Sequence, residues 1–311
     1  MAATRQLGLD LGGTNIKLVV IEIERDVAGE ASPRIVTSSS VPTEAERGPD
    51  HVARRMIEAG RAFASSNGPV STAGAGVPGI FEHDTERIVL FPNLPGPWTG
   101  FPLGARLAEG LGLPVRLIND ARAFVLAESR LGAGRGCPTI VGLTLGTGIG
   151  GGVIVDGRLR LGSTGTAGEV GHQTVDPGGP ECGCGNRGCV EAIAQAGAIA
   201  ERAAQPTAKA AFDAAAASDQ RARESIEVAA RALGVGIANL VTVLVPDAVV
   251  LGGGMAASDL LFDEVRKAVA EHTPLLLSGV VRIVRAELGP TAGAVGAALA
   301  GAGVGLEAIS S

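Results

Sequence analysis

Residues 7–22, LGLDLGGTNIKLVVIE, read as a strand, a glycine turn and a second strand, and residues 141–156, VGLTLGTGIGGGVIVD, read the same way. Laid over one another, Gly8 falls on Gly142, Leu11 on Leu145 and Gly12 on Gly146. Two matching units, each opening one half of a 311-residue chain, predict two related lobes. A third glycine turn, VVLGGGM at 249–255, follows another apolar strand.

Working outward, apolar runs predict strands near 6–11, 17–23, 72–76, 115–118, 139–145, 152–156, 248–251 and 281–286. Helices are expected at 50–65, 102–111, 121–131, 189–204, 220–245 and 291–301. Ile237, Leu240, Val241 and Leu244 have the spacing of a buried helical stripe. Strands alternating with helices mean an α/β architecture. ASPRIVTSSSVP at 31–42 and the alanine-rich stretch 203–218 read as peripheral connections.

Composition narrows the function. With 46% hydrophobic residues there is material for a substantial core, and a net charge of -6 is wrong for a nucleic-acid binder, which shows a basic face. The start, MAATRQLGLDLGG, lacks the basic leader and apolar core of a signal peptide. No run of eighteen apolar residues suggests a membrane span. A cytoplasmic location is expected, where thiols stay reduced.

The pattern G-x-G-x-x-G occurs at 74–79, 146–151 and 183–188, and is weak in a chain with 47 glycines. A dinucleotide fingerprint must open a helix after a strand. Here the first copy contains Pro78, the second runs into a strand and the third lies among cysteines. A nicotinamide dehydrogenase is therefore not expected. The P-loop pattern G-x-x-x-x-G-K-[ST] is absent as well. DLGGTNIK at 10–17 is more specific. A strand delivers Asp10 to Gly12, Gly13 and Thr14, whose backbone N–H groups can approach phosphate oxygens, while Asp10 is placed to hold a metal ion. TLGTGIGGG at 144–152 offers a second such turn, so that two hairpins can grip a triphosphate tail.

DLGGTNIK, LGTGIGGG and LGGG resemble the two phosphate motifs and the adenosine motif of the actin-like ATPase superfamily, which includes sugar kinases. Within it the chain resembles the ROK family, named for repressors, open reading frames and kinases. GAGVPG, FPNLPGPW, INDARAF, GTAGEVGH and CGCGNRGCVE follow in the family's order, from Leu7 to about Gly301. The resemblance implies a two-lobe, ribonuclease H-like fold with an interlobe cleft. Residues 1–119 plus 291–311 would make the small lobe, and 120–290 the large one. It also implies MgATP held by Asp10, Gly12, Gly13, Thr14, Asn15 and Lys17, by Gly146, Thr147 and Gly148, and by Gly252, Gly253 and Gly254. Polyphosphate stays open as donor.

CGCGNRGCVE crowds three of four cysteines into eight positions. Cys182 and Cys184 are too close for an unstrained disulfide. With His172 upstream, the set His172, Cys182, Cys184 and Cys189 suits tetrahedral structural zinc, and the family's kinases carry one at this motif. Cys137 lies outside the set and reads as inert.

A sugar kinase needs a carboxylate to take the hydroxyl proton. RLIND ends an apolar strand at Asn119 and Asp120, just before a helix. Asp120 could be merely the cap of that helix. The resemblance makes it the catalytic base, with Asn119 on the sugar. It assigns further sugar contacts to Gly79, Asn93, Glu169, His172 and Glu191. The expected reaction is transfer to a hexose hydroxyl, the 6-OH of glucose by default. An amino sugar, an N-acetylhexosamine or a sugar-like cyclitol is the alternative. A departure stands at NDARAF: Arg122 and Phe124 replace small or amide residues of the family pattern, and Arg122 either reaches solvent or touches a phosphate or an unusual substrate. A homodimer is expected. A silent sugar sensor or a repressor is not, because Asp10, Asp120 and both phosphate turns are intact and only six residues precede Leu7.

Overall fold

The computed structural model describes residues 3–92, 94–275 and 281–306. Strands β1 (Thr4–Leu11) and β2 (Asn15–Arg25) form the expected first hairpin, pairing from Thr4 opposite Ile23 to Leu11 opposite Ile16. β3 (Ala31–Pro42) pairs antiparallel with β2. This twelve-residue edge strand stands where the sequence reading has a loose connection. Serine and threonine at 37–40 hide its apolar signal, while its backbone still completes a ladder on one side.

Helix α1 (Pro49–Asn67) leads to β4 (Thr72–Val77), the short hairpin β5 (Ile80–Phe81) and β6 (Ile88–Leu90), α2 (Leu103–Leu111), β7 (Val115–Asn119) and α3 (Asp120–Leu131). β4 joins β1 in parallel and β7 joins β4, giving the order β3-β2-β1-β4-β7. Leu7, Leu9, Ile16, Leu18, Met56 and Leu103 fill the core beneath this sheet.

The pattern repeats in the second half. β8 (Ile140–Leu145) and β9 (Ile149–Val155) make the second hairpin, and β10 (Arg158–Leu159) bridges through Leu159 to Leu306. Helices α4 (Val190–Ala194), α5 (Ala196–Arg202), α6 (Ala208–Ala216) and α7 (Gln220–Leu244) precede β11 (Ala248–Gly252), α8 (Asp259–His272), β12 (Arg282–Arg285) and α9 (Ala292–Gly301). β11 runs parallel to β8, and β12 parallel to β11. The expected helix 189–204 breaks at Gln195, whose extended backbone separates α4 from α5. α7 has the length and hydropathy of a membrane span, yet 56% of its most apolar window is buried. Ile237 and Val241 face the core with Ile226, Leu233, Val249 and Val265.

The chain divides into two compact units. One holds Met1–Arg135, Arg158–Ala167 and Pro290–Ser311; the other holds Gly136–Gly157 and Gly168–Gly289. The expected boundary after residue 119 differs from this, because α3 stays with the first unit. Its partner is α9: a Cβ on Gly296 would lie 1.7 Å from the Ala123 carbonyl oxygen, so the two helices touch backbone to backbone. α9 lies equally flush on the sheet, where a Cβ on Gly8 would meet Ala294 O at 1.9 Å and one on Gly74 would meet Ala297 O at 1.8 Å. Gly8, Gly74 and Gly296 serve this close layering.

Candidate active site and metal centre

The first hairpin turn is short. Gly12 N–H donates to Asn15 O at 3.0 Å, leaving Gly13, Thr14 and Asn15 exposed at the tip. A residue the sequence reading missed steadies it: Thr43 is fully buried, its hydroxyl donates to Gly12 O at 2.7 Å and its N–H donates to Thr14 O at 2.9 Å. No local pattern marks Thr43, since the contact spans 31 positions. Asp10, one pair before the turn, is 8% exposed and lies 3.2 Å from the Lys17 ammonium. Burial pushes its carboxyl above the usual range, and Lys17 works against that. Gly293 of α9 completes the cradle, since a Cβ there would sit 2.7 Å from the carboxylate. Gly293 too was missed, because it comes from the other end of the chain.

At the end of β7 the roles of the neighbouring pair separate. Asn119 is the cap of α3: its Oδ1 accepts from Ala121 N and Arg122 N at 3.1 Å, and its Nδ2 donates to Gly79 O at 3.2 Å. The cap that the plainer reading gave to Asp120 therefore belongs to Asn119. Asp120 is the first helical residue and is partly exposed. It stands at the carboxyl end of a parallel strand, where α/β proteins place their ligands. Gly79 has φ of +85°, and a Cβ there would lie 2.1 Å from Leu90 O, so only glycine fits. Asn93 lies outside the described residues. Arg122 does not reach solvent: it is 4% exposed and its Nε donates to Ala167 O at 2.8 Å.

In the second unit, Gly146 N–H donates to Gly148 O at 3.0 Å, and Thr147 is exposed at the turn. Gly253 packs beside it, since a Cβ there would meet Leu145 O at 2.3 Å. Gly252, Gly253 and Gly254 therefore adjoin the turn of Gly146, Thr147 and Gly148. Glu191, from α4, accepts from Ile149 N at 2.8 Å, and its second oxygen lies 4.0 Å from His172 Nδ1. It ties the turn to the cysteine loop, a link the sequence reading did not contain. Exposed Glu169 and half-buried His172 sit at either end of one short helical turn, closed by His172 N–H donating to Glu169 O. Gly171 lets that turn press onto β9, where a Cβ would meet Ile149 O at 1.9 Å.

The four ligand atoms of His172, Cys182, Cys184 and Cys189 lie within 4.8 Å of one another. Cys182 Sγ is 3.6 Å from His172 Nδ1, and Cys184 Sγ is 3.7 Å from Cys189 Sγ. A tetrahedron with Zn–S of about 2.3 Å and Zn–N of about 2.0 Å has edges of roughly 3.5–3.8 Å, so the set fits zinc. All four cysteines are free thiols. Burial first, then the neighbouring thiols, push Cys189 up to about 12. A thiol so placed needs a cation beside it to become a thiolate.

The ROK family model matches residues 6–301. The chain belongs to the ROK family. The glucokinase of Thermotoga maritima is 35% identical over 96% of this chain and 97% of its own. The crystal structure of a ROK hexokinase from Thermus thermophilus superposes with a TM-score of 0.85 at 37% identity, covering 96% of this chain and 98% of that one. A ROK glucokinase from Streptomyces griseus, solved with glucose and AMPPNP, gives a TM-score of 0.77 at 32% identity, covering 97% of this chain and all of that one. The ROK kinases have the actin-like ATPase fold that the family resemblance implied for this chain.

Proposed function

We propose that this ROK protein is an ATP-dependent hexose kinase with Asp120 as general base. The observation that carries the reading is the placing of Asp120 as first residue of a capped helix at the end of β7. It is supported by the 35% identity to a glucokinase. Asp120 takes the proton from the acceptor hydroxyl as the oxygen bonds to the γ-phosphorus of ATP; the bond to the bridging oxygen breaks and ADP leaves.

The phosphates rest on the backbone of 12–15 and on Gly146, Thr147 and Gly148, with adenosine beside Gly252, Gly253 and Gly254. Asp10 would hold Mg2+, directly or through water, with Lys17 beside it, and the ion would supply charge neutralisation at the phosphate oxygens. Gly79, Asn93, Asn119, Glu169, His172 and Glu191 take the sugar hydroxyls. Asn119 gives one N–H to Gly79 O and has a second to offer. His172 turns Nδ1 toward Cys182, which leaves Nε2 for a hydroxyl. Carboxylate acceptors discriminate sharply, since a missing hydroxyl leaves one unpaired. His172, Cys182, Cys184 and Cys189 would hold zinc, and four ligands on one ion would fix the loop next to Glu191. The same reading has a cytoplasmic homodimer with neither nucleic acid nor membrane as partner.

Glucose is the default acceptor; an amino sugar, an N-acetylhexosamine or a cyclitol is the second. ADP release across glucose, mannose, N-acetylglucosamine, N-acetylmannosamine, 3-amino-glucose and a cyclitol tests this, with polyphosphate as a second donor. Fast turnover of one acceptor, lost in Asp120→Asn, is expected. Sugar binding without any turnover would overturn the kinase in favour of a sensor.

A further inference from the structure

A cavity of about 340 Å³ lies in the first unit, against the outer edge of β7. Asn119 is on its wall, yet among the described residues Gly79, Asp120, Glu169, His172 and Glu191 are not. Its volume is at the lower end of the range for ligand pockets, about 300–1,000 Å³, which suits a single ring. One side is aromatic: Phe81 and His83 stand 5.2 Å apart between ring centroids. Leu161 and Leu306 supply aliphatic surface. The remaining wall is polar and of mixed sign, with Arg116 and Arg122 facing Asp84 and Glu86.

That balance decides the class of ligand. Two guanidinium groups stand against two carboxyls, one of which, Glu86, burial pushes above its ordinary value against the pull of the Leu117 N–H and Arg116, so neither sign has a large surplus to attract an ion. Burial holds the His83 imidazole below its ordinary value, with Arg122 and Arg116 adding to the effect against a hydrogen bond the ring donates to the Gly165 backbone, so it too is uncharged at neutral pH. Two of the polar groups are already fixed in place. Glu86 Oε1 accepts from Leu117 N at 2.9 Å, and Arg122 Nε donates to Ala167 O at 2.8 Å. Groups positioned in advance lose little entropy on binding. Acceptors, donors and an aromatic face together match a neutral ring whose hydroxyls each donate and accept.

We propose that this cavity is a second carbohydrate subsite, holding a neutral hexose ring across Asn119 from the ring phosphorylated at Asp120. The proposal rests on the kinase reading for its first ring. The second ring is either joined to the acceptor, as in a disaccharide, or a free sugar.

The full chain, metal-loaded, is tested by ADP release with MgATP on glucose, maltose and cellobiose, and by calorimetric stoichiometry of glucose binding. Arg116→Ser, at an exposed position, is safe for folding, and His83→Ala removes one aromatic face. A joined ring predicts disaccharide turnover, with kcat/KM falling at least tenfold more for the disaccharide than for glucose in both variants. A free ring predicts two glucose molecules per chain, the second weakened in both variants. At most one sugar per chain, with both variants affecting glucose and disaccharides alike, would overturn the subsite. If no sugar turns over, the kinase reading fails, while the stoichiometry still decides the subsite.

Discussion

Asp10 carries a conflict between folding and function. Its carboxyl lies among Lys17, Gly76 and Gly293, and burial raises its pKa above the ordinary 3.8. A carboxyl raised in the folded state costs nothing below its unfolded pKa. The cost grows as pH climbs to the folded value and is complete above it. Asp10→Asn is therefore expected to gain thermal stability over the parent as pH rises from about 4 to about 8, while its ADP release falls to background. Melting curves across that range, beside one activity assay, check both halves. Thr43 makes the opposite case, a residue without a reacting atom that holds one loop. Thr43→Val keeps the shape and loses the bond to Gly12 O, at a cost of about 1 kcal/mol in stability. Its KM for MgATP is expected to rise while the KM for the sugar stays, which steady-state kinetics with each substrate varied will show.

At the scale of elements, the cysteine loop offers a sharp contrast. Cys184 is exposed, and an exposed substitution away from any special feature changes stability by about 0.5 kcal/mol or less. As a zinc ligand, Cys184→Ser should instead lower Tm as strongly as substitution of buried Cys189, and metal analysis should find one zinc per chain in the parent. An unchanged Tm in Cys184→Ser would remove zinc from the account. The seat of α9 makes a second test. Gly74→Ala places a Cβ 1.8 Å from Ala297 O, and overpacking of this kind costs about 1–3 kcal/mol or more. Elements of this sort were unevenly legible. The hairpins and α7 show strong apolar periodicity. β3 does not, because polar residues face outward from an edge, and α6 does not, because its alanines give little contrast. α8 had the signals, with Ser258 capping it and Leu261, Phe262, Val265, Ala268 and Val269 buried along one side, but the sequence reading passed over them.

Across the whole molecule, the chain passes between its two units four times, and a glycine with positive φ stands at each crossing: Gly136, Gly157, Gly168 and Gly289. A side chain at Gly136 would meet nothing within 4 Å, so Gly136→Ala isolates the backbone cost, about 1 kcal/mol. Gly168→Ala should cost more, because its Cβ would also lie 2.9 Å from Gly152 Cα. Denaturation of the two variants side by side reads the difference.

The repeated hairpins, the α/β class, the ROK family and the likeness of His172, Cys182, Cys184 and Cys189 to a zinc set were legible in the amino-acid sequence, because these are written in local periodicity and in ordered short motifs. Tertiary structure alone decided that α3 joins the first unit, that Asn119 and not Asp120 caps it, that Arg122 is buried, and that Thr43 and Gly293 build the Asp10 turn. The seat of α3, the burial of Arg122 and the Asp10 turn depend on contacts between residues far apart in the chain, which no local pattern encodes, whereas the cap is local and was hidden because Asn and Asp cap a helix equally well. Gly293 shows the reason most plainly. A glycine is silent in sequence until the carboxylate that needs its missing side chain is brought within 2.7 Å of it.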